Sequence, residues 1–102
     1  MGMILYNVTI KVDPAVEEEW LAWMKLEHIP EVMRTGLFSE YRICRLLEQD
    51  DTEGKTFAVQ YLCNNLRNFD TYRATFAPAL QQKHYDRFGD KCVAFRTVME
   101  IL

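Results

Sequence analysis

The chain has 102 residues, of which 49% are hydrophobic and 13% aromatic, and its formal net charge is −3. This size allows one domain with one hydrophobic core, and the composition excludes a disordered chain. The excess of acidic over basic residues argues against nucleic-acid binding, which needs clustered Lys and Arg, so no nucleic-acid partner is expected.

The cysteines and the hydropathy predict a cytoplasmic protein. Cys44, Cys63 and Cys92 are odd in number and far apart, which favours a reducing compartment and predicts neither a disulfide nor a structural zinc. No apolar run approaches the roughly 18 residues of a membrane span, and no signal peptide is visible, so no membrane contact is expected. We predict a single domain over residues 1–102 and expect residues 1–2 to be a cloning remnant.

The first elements are a strand and a helix. Residues 3–12 alternate between apolar and polar, which predicts a strand with one buried face. Asp13 and Pro14 then form an N-cap followed by a proline in the first helical turn, and Glu17 to Glu19 favour the positive end of the helix dipole. A helix is therefore predicted, with an apolar stripe at Val16, Trp20, Trp23 and Met24.

Proline and glycine limit this helix. Because Pro30 disfavours the helical conformation at Ile29, we predict that the helix ends near His28 or Ile29. A short turn from residue 31 to residue 35 is expected to follow, capped by Gly36.

The second half of the chain predicts a hairpin, a helix and a strand. Strands are expected over residues 37–47 and 55–63, joined by an acidic loop. Pro78 must bend or break the second helix and Gly89 ends it, before a last strand over residues 91–102. The helix can be capped by Asn64, Asn65 or Asn68, and its inward stripe is Phe69, Tyr72, Phe76, Leu80, His84 and Phe88.

The element order βαββαβ predicts a ferredoxin-like α+β fold, an antiparallel sheet with two helices on one face. On the last strand, Val93, Phe95, Met99 and Ile101 are expected to face the helices. The open face is expected to carry Asn7, Thr9, Arg42, Cys44, Gln60, Leu62, Ala94, Arg96 and Val98. Such a mixed face predicts a homodimer formed sheet on sheet, with an interface that includes Asn7, Arg42, Gln60 and Arg96.

An ordered string of short motifs runs through the chain: Met3-Ile-Leu-Tyr-Asn-Val-Thr-Ile10, Trp23-Met-Lys-Leu-Glu-His-Ile-Pro30, Thr35-Gly36, Gln60-Tyr61 and Phe95-Arg-Thr97. Over essentially the whole length it resembles a bacterial family without an assigned activity, domain of unknown function 4286. This resemblance implies a dimeric α+β barrel. His28-Ile-Pro30 also resembles the His-x-Pro of small dimeric α+β barrel proteins, which include cofactor-independent monooxygenases and haem-degrading enzymes.

Glu27 and His28 are the candidate catalytic residues. At about 100° per residue, Glu27 falls within the apolar stripe. It either turns to solvent where the helix ends, or it is a pocket carboxylate with a raised pKa or an arginine partner. His28 either stabilises the last helical carbonyls or acts as a general acid or base.

Five further residues are candidates for ligand binding, since they would line any cavity between helices and sheet: Tyr6, Trp20, Trp23, Tyr61 and His84. The alternative is that they only fill the core. A metal site of two histidines and one carboxylate, His28, His84 and Glu27, is conceivable, but nothing in the spacing supports it. No metal or cofactor is predicted.

The sequence leaves three functions open. The first is a homodimeric module that binds a small apolar or aromatic molecule or serves as an accessory protein. The second is an enzyme of the cofactor-independent oxygenase or isomerase type that uses His28 and Glu27. The third is a protein-interaction module that uses the acidic loop.

Overall fold

A four-stranded antiparallel sheet carries the helices on one face, as the ferredoxin-like prediction requires. The computed structural model describes residues 2–102, so the expectation about residues 1–2 falls partly outside the described residues. The strands are β1 (Ile4–Val12), β2 (Phe38–Arg45), β3 (Lys55–Cys63) and β4 (Cys92–Glu100), in the spatial order β2-β3-β1-β4. The two edge strands, β2 and β4, are each shorter than predicted.

The first helical region has three parts after a short 3₁₀ turn at Pro14–Val16: α1 (Glu17–Trp23), a π-helical turn (Met24–His28) and α2 (Ile29–Arg34). As predicted, Asp13 caps the start, and its carboxylate accepts a hydrogen bond of 2.8 Å from the backbone N–H of Ala15. The prediction that the helix ends near His28 or Ile29 is wrong, because helical backbone continues through Pro30 to Arg34.

The π-helical turn explains how the helix passes Pro30. In a regular α-helix the proline ring would crowd the carbonyl of Leu26 and leave it without a donor. Here the turn is widened, and the N–H of Ile29 donates to the carbonyl of Met24, five residues back. The wider turn relieves the crowding, so Pro30 sits in the first turn of α2.

The second helical region is broken where Pro78 predicts a break. Helices α3 (Leu66–Thr75) and α4 (Ala77–Phe88) meet at Phe76, and Pro78 lies in the first turn of α4. The side chain of Asn65 caps α3 by accepting a 2.8 Å hydrogen bond from the N–H of Asn68. The break changes the helical phase, so the prediction that Phe76 points inward is wrong; it is 37% exposed. Gly89, with φ +56°, ends α4.

The two faces of β4 are the reverse of those predicted. Antiparallel pairing places Arg96 opposite Val8 and Ala94 opposite Ile10, and residues opposite each other share a face. The helix side of β4 therefore carries Ala94, Arg96 and Val98, and the open side carries Val93, Phe95 and Met99. The prediction turned the more apolar set toward the helices, but this edge strand is largely exposed on both sides.

The core lies between the sheet and the helices. Aromatic rings dominate it: Tyr6 packs against Phe69 at 5.0 Å between ring centroids, and Phe38 packs edge-on against Tyr72 at 4.8 Å. Near α1, Trp20 packs against Phe57 at 4.9 Å. Within residues 2–102, no helix has both the length and the apolar character that crossing a membrane requires.

Candidate ligand site between the helices and the sheet

A cavity of about 40 Å³ lies between the sheet and the helices and is called here the helix–sheet cavity. Its walls come from every layer of the fold and are apolar except for seven side chains, Tyr6, His28, Tyr61, Tyr72, Gln81, His84 and Arg96. The space is large enough for one or two water molecules. It is therefore the inner end of a site rather than a complete ligand pocket.

Two wider depressions adjoin this cavity at the gap between α4 and the edge strand β4. Their volumes are about 370 and 210 Å³, and both share Gln81 and Arg96 with the helix–sheet cavity. We call these two depressions together the α4–β4 groove. The groove opens to solvent because α4 covers little of β4, and it shares lining residues with the cavity.

The π-helical turn decides which side chain of the first helical region enters the cavity. A turn closed by an i→i+5 hydrogen bond advances fewer degrees per residue than the ~100° of an α-helix. His28 is thereby carried onto the inward stripe, and Glu27 is carried off it. His28 lines the cavity, whereas Glu27 is exposed beside Glu31 and Arg87 in a separate surface groove.

His28 is held neutral in this position. Its ring stacks on that of Trp23 at 4.9 Å between centroids, and its Nδ1 atom is buried with no hydrogen-bond partner among residues 2–102. Burial, reinforced by the nearby His84, lowers the pKa of His28 to about 4. The side chain therefore lines the cavity without a charge, and one of its ring nitrogens has no bond to any described residue.

His84 is fixed by a tryptophan. The indole N–H of the fully buried Trp20 donates a 2.9 Å hydrogen bond to His84 Nε2. Because Nε2 accepts, the neutral ring carries its proton on Nδ1. Burial, with a smaller contribution from Arg96, lowers the pKa of His84. His84 is thus a satisfied, uncharged residue at the junction of the cavity and the groove.

Three tyrosines form the aromatic wall of the site. Tyr6 lies 6.0 Å from both Tyr61 and Tyr72, measured between ring centroids. Burial raises the pKa of each phenol, and for Tyr6 the positive charge of Arg96 opposes part of that rise. All three are neutral hydroxyl groups at physiological pH, able to donate or accept a hydrogen bond.

The predicted interface residues separate into two groups. Arg42, Gln60 and Asn7 lie side by side on the open face, because Arg42 and Asn7 are both register partners of Gln60. The amide of Gln60 donates to Asn7 Oδ1 at 3.2 Å, and that of Asn7 donates to Thr9 Oγ1 at 2.9 Å. The prediction that Arg96 joins them on this face is wrong, since β4 turns Arg96 toward the helices.

The two tryptophans support the site from behind. Neither indole lines the helix–sheet cavity: Trp20 holds His84, and Trp23 stacks on His28 and faces the groove that contains Glu27. Glu27 therefore does not meet the two histidines, and the considered two-histidine, one-carboxylate grouping is not formed. Across residues 2–102 no three His, Cys, Asp or Glu side chains are grouped to hold a metal ion.

Sequence reasoning missed Gln81 and misplaced Arg96, which are the two residues that line the cavity and both depressions of the groove. The signal for Arg96 was its alternation with Phe95 along β4, but the alternation alone does not say which set faces the helices. For the acidic loop, Arg45 and Asp51 form a 2.9 Å ion pair at its base, and its use in protein interaction stays a prediction.

Comparisons with known proteins agree with this architecture. The model of the family described as "Domain of unknown function (DUF4286)" matches residues 3–102. None of the curated protein sequences matches the chain.

Several solved structures share the fold at low sequence identity. A candidate antibiotic biosynthesis monooxygenase from Bordetella bronchiseptica is 17% identical, with a TM-score of 0.73 over 100% of this chain and 99% of its own. SnoaB, a cofactor-independent oxygenase from Streptomyces nogalater, is 12% identical, with a TM-score of 0.68 over 100% and 95%. A dimeric ferredoxin-like protein from an uncultured marine organism is 10% identical, with a TM-score of 0.67 over 100% and 97%. At these identities the likeness shows the fold.

Proposed function

The chain belongs to the DUF4286 family, a domain of unknown function, and we propose that it is a homodimeric module that binds a small apolar or aromatic molecule. The proposed site is the helix–sheet cavity together with the α4–β4 groove.

The observation that carries this proposal is an unpaired buried polar atom on a residue that lines the cavity. A buried polar group without a partner costs roughly 1–3 kcal/mol, so proteins rarely keep one that nothing uses. Nδ1 of His28 is such a group, and the His28 side chain lines a cavity that three tyrosines also line. An apolar pocket with a few convergent polar groups is the usual form of a small-molecule site.

A screen of small aromatic compounds by thermal unfolding tests the ligand. We expect hits that stabilise the protein and that lose their effect in Ala94→Phe, because Ala94 lines both the cavity and the groove. Ala79→Phe is the matched control, since Ala79 lies on α4 in a different surface depression. The proposal fails if no compound stabilises the protein, or if both variants bind equally well.

The open sheet face supports the homodimer. Phe95 is 69% exposed there and Val93 is 55% exposed, next to the polar row of Arg42, Gln60 and Asn7. An apolar patch with hydrogen-bonding groups is typical of a surface that a second copy covers. The structurally similar dimeric ferredoxin-like protein supports the same assembly.

Light scattering at micromolar concentration tests this assembly. We expect a dimer for the wild type and a monomer for Phe95→Glu. Tyr85→Glu is the control, because Tyr85 is 63% exposed but lies on α4, away from the open face. A monomeric wild type, or a Phe95→Glu variant that remains dimeric, would contradict the proposed interface.

A cofactor-independent oxygenase or isomerase is the second candidate. Neutral His28 in the cavity supports it, as does the structural likeness to SnoaB. However, a base works best when its pKa lies near the operating pH, and a pKa of about 4 makes His28 a weak one. We therefore rank binding above catalysis. Oxygen uptake with enolisable aromatic compounds tests this candidate. His28→Phe should abolish the uptake and Glu27→Gln should not. If the wild type takes up no oxygen, the oxygenase is excluded.

We also place the protein in the cytoplasm. Its cysteines are free thiols, and Cys44 is exposed, a state that a reducing compartment maintains.

A further inference from the structure

We propose that the ligand is an anion, a small aromatic or apolar carboxylate or enolate, and that Arg96 is the residue that binds its negative oxygen. This inference rests on the proposed function and assigns the chemical class of the ligand and a specificity-determining residue to the same site.

The first argument is the distribution of charge. The chain carries 15 acidic residues against 12 basic ones, yet none of the described residues that line the cavity or the groove is acidic. Arg96 lines the helix–sheet cavity and both depressions of the groove, and Arg73 lines one of the two depressions. By contrast, the surface groove beside Trp23 is lined by Glu27, Glu31 and Asp86 as well as by basic residues. An overall negative protein therefore has a locally positive site.

The second argument is that no carboxylate among residues 2–102 pairs with Arg96, whose contact within the site is with the neutral phenol of Tyr6. Arg73 is paired with Asp70 at 2.9 Å. Arg96 has no carboxylate within salt-bridge distance among residues 2–102, although five other basic residues besides Arg73 do. A guanidinium carries five N–H donors that match the two oxygens of a carboxylate. Arg96 is thus the cation at this site that is free to bind one.

The third argument is the position of Arg96 relative to the neutral polar groups. Arg96 lines the helix–sheet cavity together with Tyr6, Tyr72, His28 and His84. The guanidinium therefore lies close to all four, at the mouth of the cavity. A ligand anion beside it would have its ring against the tyrosines and its charge at the solvent side, which avoids the cost of burying a charge deeply.

Matched acid and amide probes test this inference. The acids are benzoate, 1-naphthoate and 2-naphthoate, and each corresponding amide has nearly the same shape without the charge. Binding is measured by titration calorimetry and by the NMR signal of the Trp20 indole N–H, which reports from inside the site through its bond to His84. We expect the wild type to bind the best acid about tenfold or more tightly than its amide.

Two arginine variants test whether Arg96 causes the preference for the acid over the amide. Arg96→Gln should lose the tenfold preference and bind the amide as the wild type does. Arg67→Gln, at an exposed arginine on α3 that lines neither the cavity nor the groove, should keep the preference. Arg96 is exposed, so its replacement should leave the unfolding temperature nearly unchanged.

The remaining outcomes separate a failure of the anion inference from a failure of the proposed ligand site. Equal binding of acid and amide by the wild type, or a preference that survives Arg96→Gln, refutes the anion inference and leaves the pocket intact. If neither the acids nor the amides bind, the proposed ligand site is refuted and the inference falls with it.

Discussion

Replacing His28 with phenylalanine should make this protein less sensitive to mild acid. The phenyl ring preserves the stacking on Trp23 and cannot be protonated. The pKa of His28 is about 4 in the folded protein, against 6.5 for an unperturbed histidine. The unfolded chain therefore binds a proton more readily, and stability is lost as the pH falls below about 6.5.

The size of the effect follows from these two values. Over the full range from 6.5 to about 4, at about 1.4 kcal/mol for each pH unit, His28 contributes about 3 kcal/mol of stability that acid removes. At pH 5 about 2 kcal/mol of this is already lost, whereas at pH 7.5 almost none is.

Urea unfolding at pH 7.5 and pH 5 measures this contribution. The wild type should lose about 2 kcal/mol more than His28→Phe between the two pH values. Taking the difference between the proteins cancels the titration of the carboxylates, which both share. If the two proteins lose the same stability, His28 is protonated as easily in the folded state as in the unfolded one, and the account of its buried site is refuted.

Two further predictions concern packing. His84→Leu leaves the buried indole N–H of Trp20 unpaired, and urea unfolding should show a loss of about 1–3 kcal/mol of stability. His84→Gln keeps an acceptor and should lose less stability. Equal losses in the two variants would contradict the role of the hydrogen bond. Gly54 has φ +132°, and in Gly54→Ala the added methyl group would clash with the carbonyl of Val12. Gly36 also has a positive φ, but a methyl group added there would meet open space. We expect Gly36→Ala to cost about 1 kcal/mol and Gly54→Ala at least about 2 kcal/mol more, measured in the same way, and similar costs would disprove the clash.

Features that depend on near neighbours in the chain were predictable. An asparagine cap, left open among Asn64, Asn65 and Asn68, the break before Pro78 and the stop at Gly89 each follow from the chemistry of one residue and those beside it. The alternation along β1 likewise predicts its buried face, because helices cover that central strand. These signals were sufficient for the element order and hence for the fold.

The two errors that matter for the site depend on distant contacts. The orientation of Arg96 is set by the pairing of β4 with β1, whose paired ends, Ile4 with Glu100 and Val12 with Cys92, are far apart in the chain. An edge strand also lacks the burial that would show which side chains face the helices. The exchange of Glu27 and His28 requires a π-helical turn. Pro30 signalled that the helix must change there, but not that it would widen and continue.

A π-helical turn is equivalent to an α-helix with one residue inserted. A homologue that lacks one residue between Trp23 and Pro30, and that also lacks the proline, could therefore keep α1, α2 and the sheet in place. What would change is the side chain presented to the cavity. The length of this segment, rather than the identity of any residue in it, would then be the variable through which relatives with the same fold diverge in the molecules they accept.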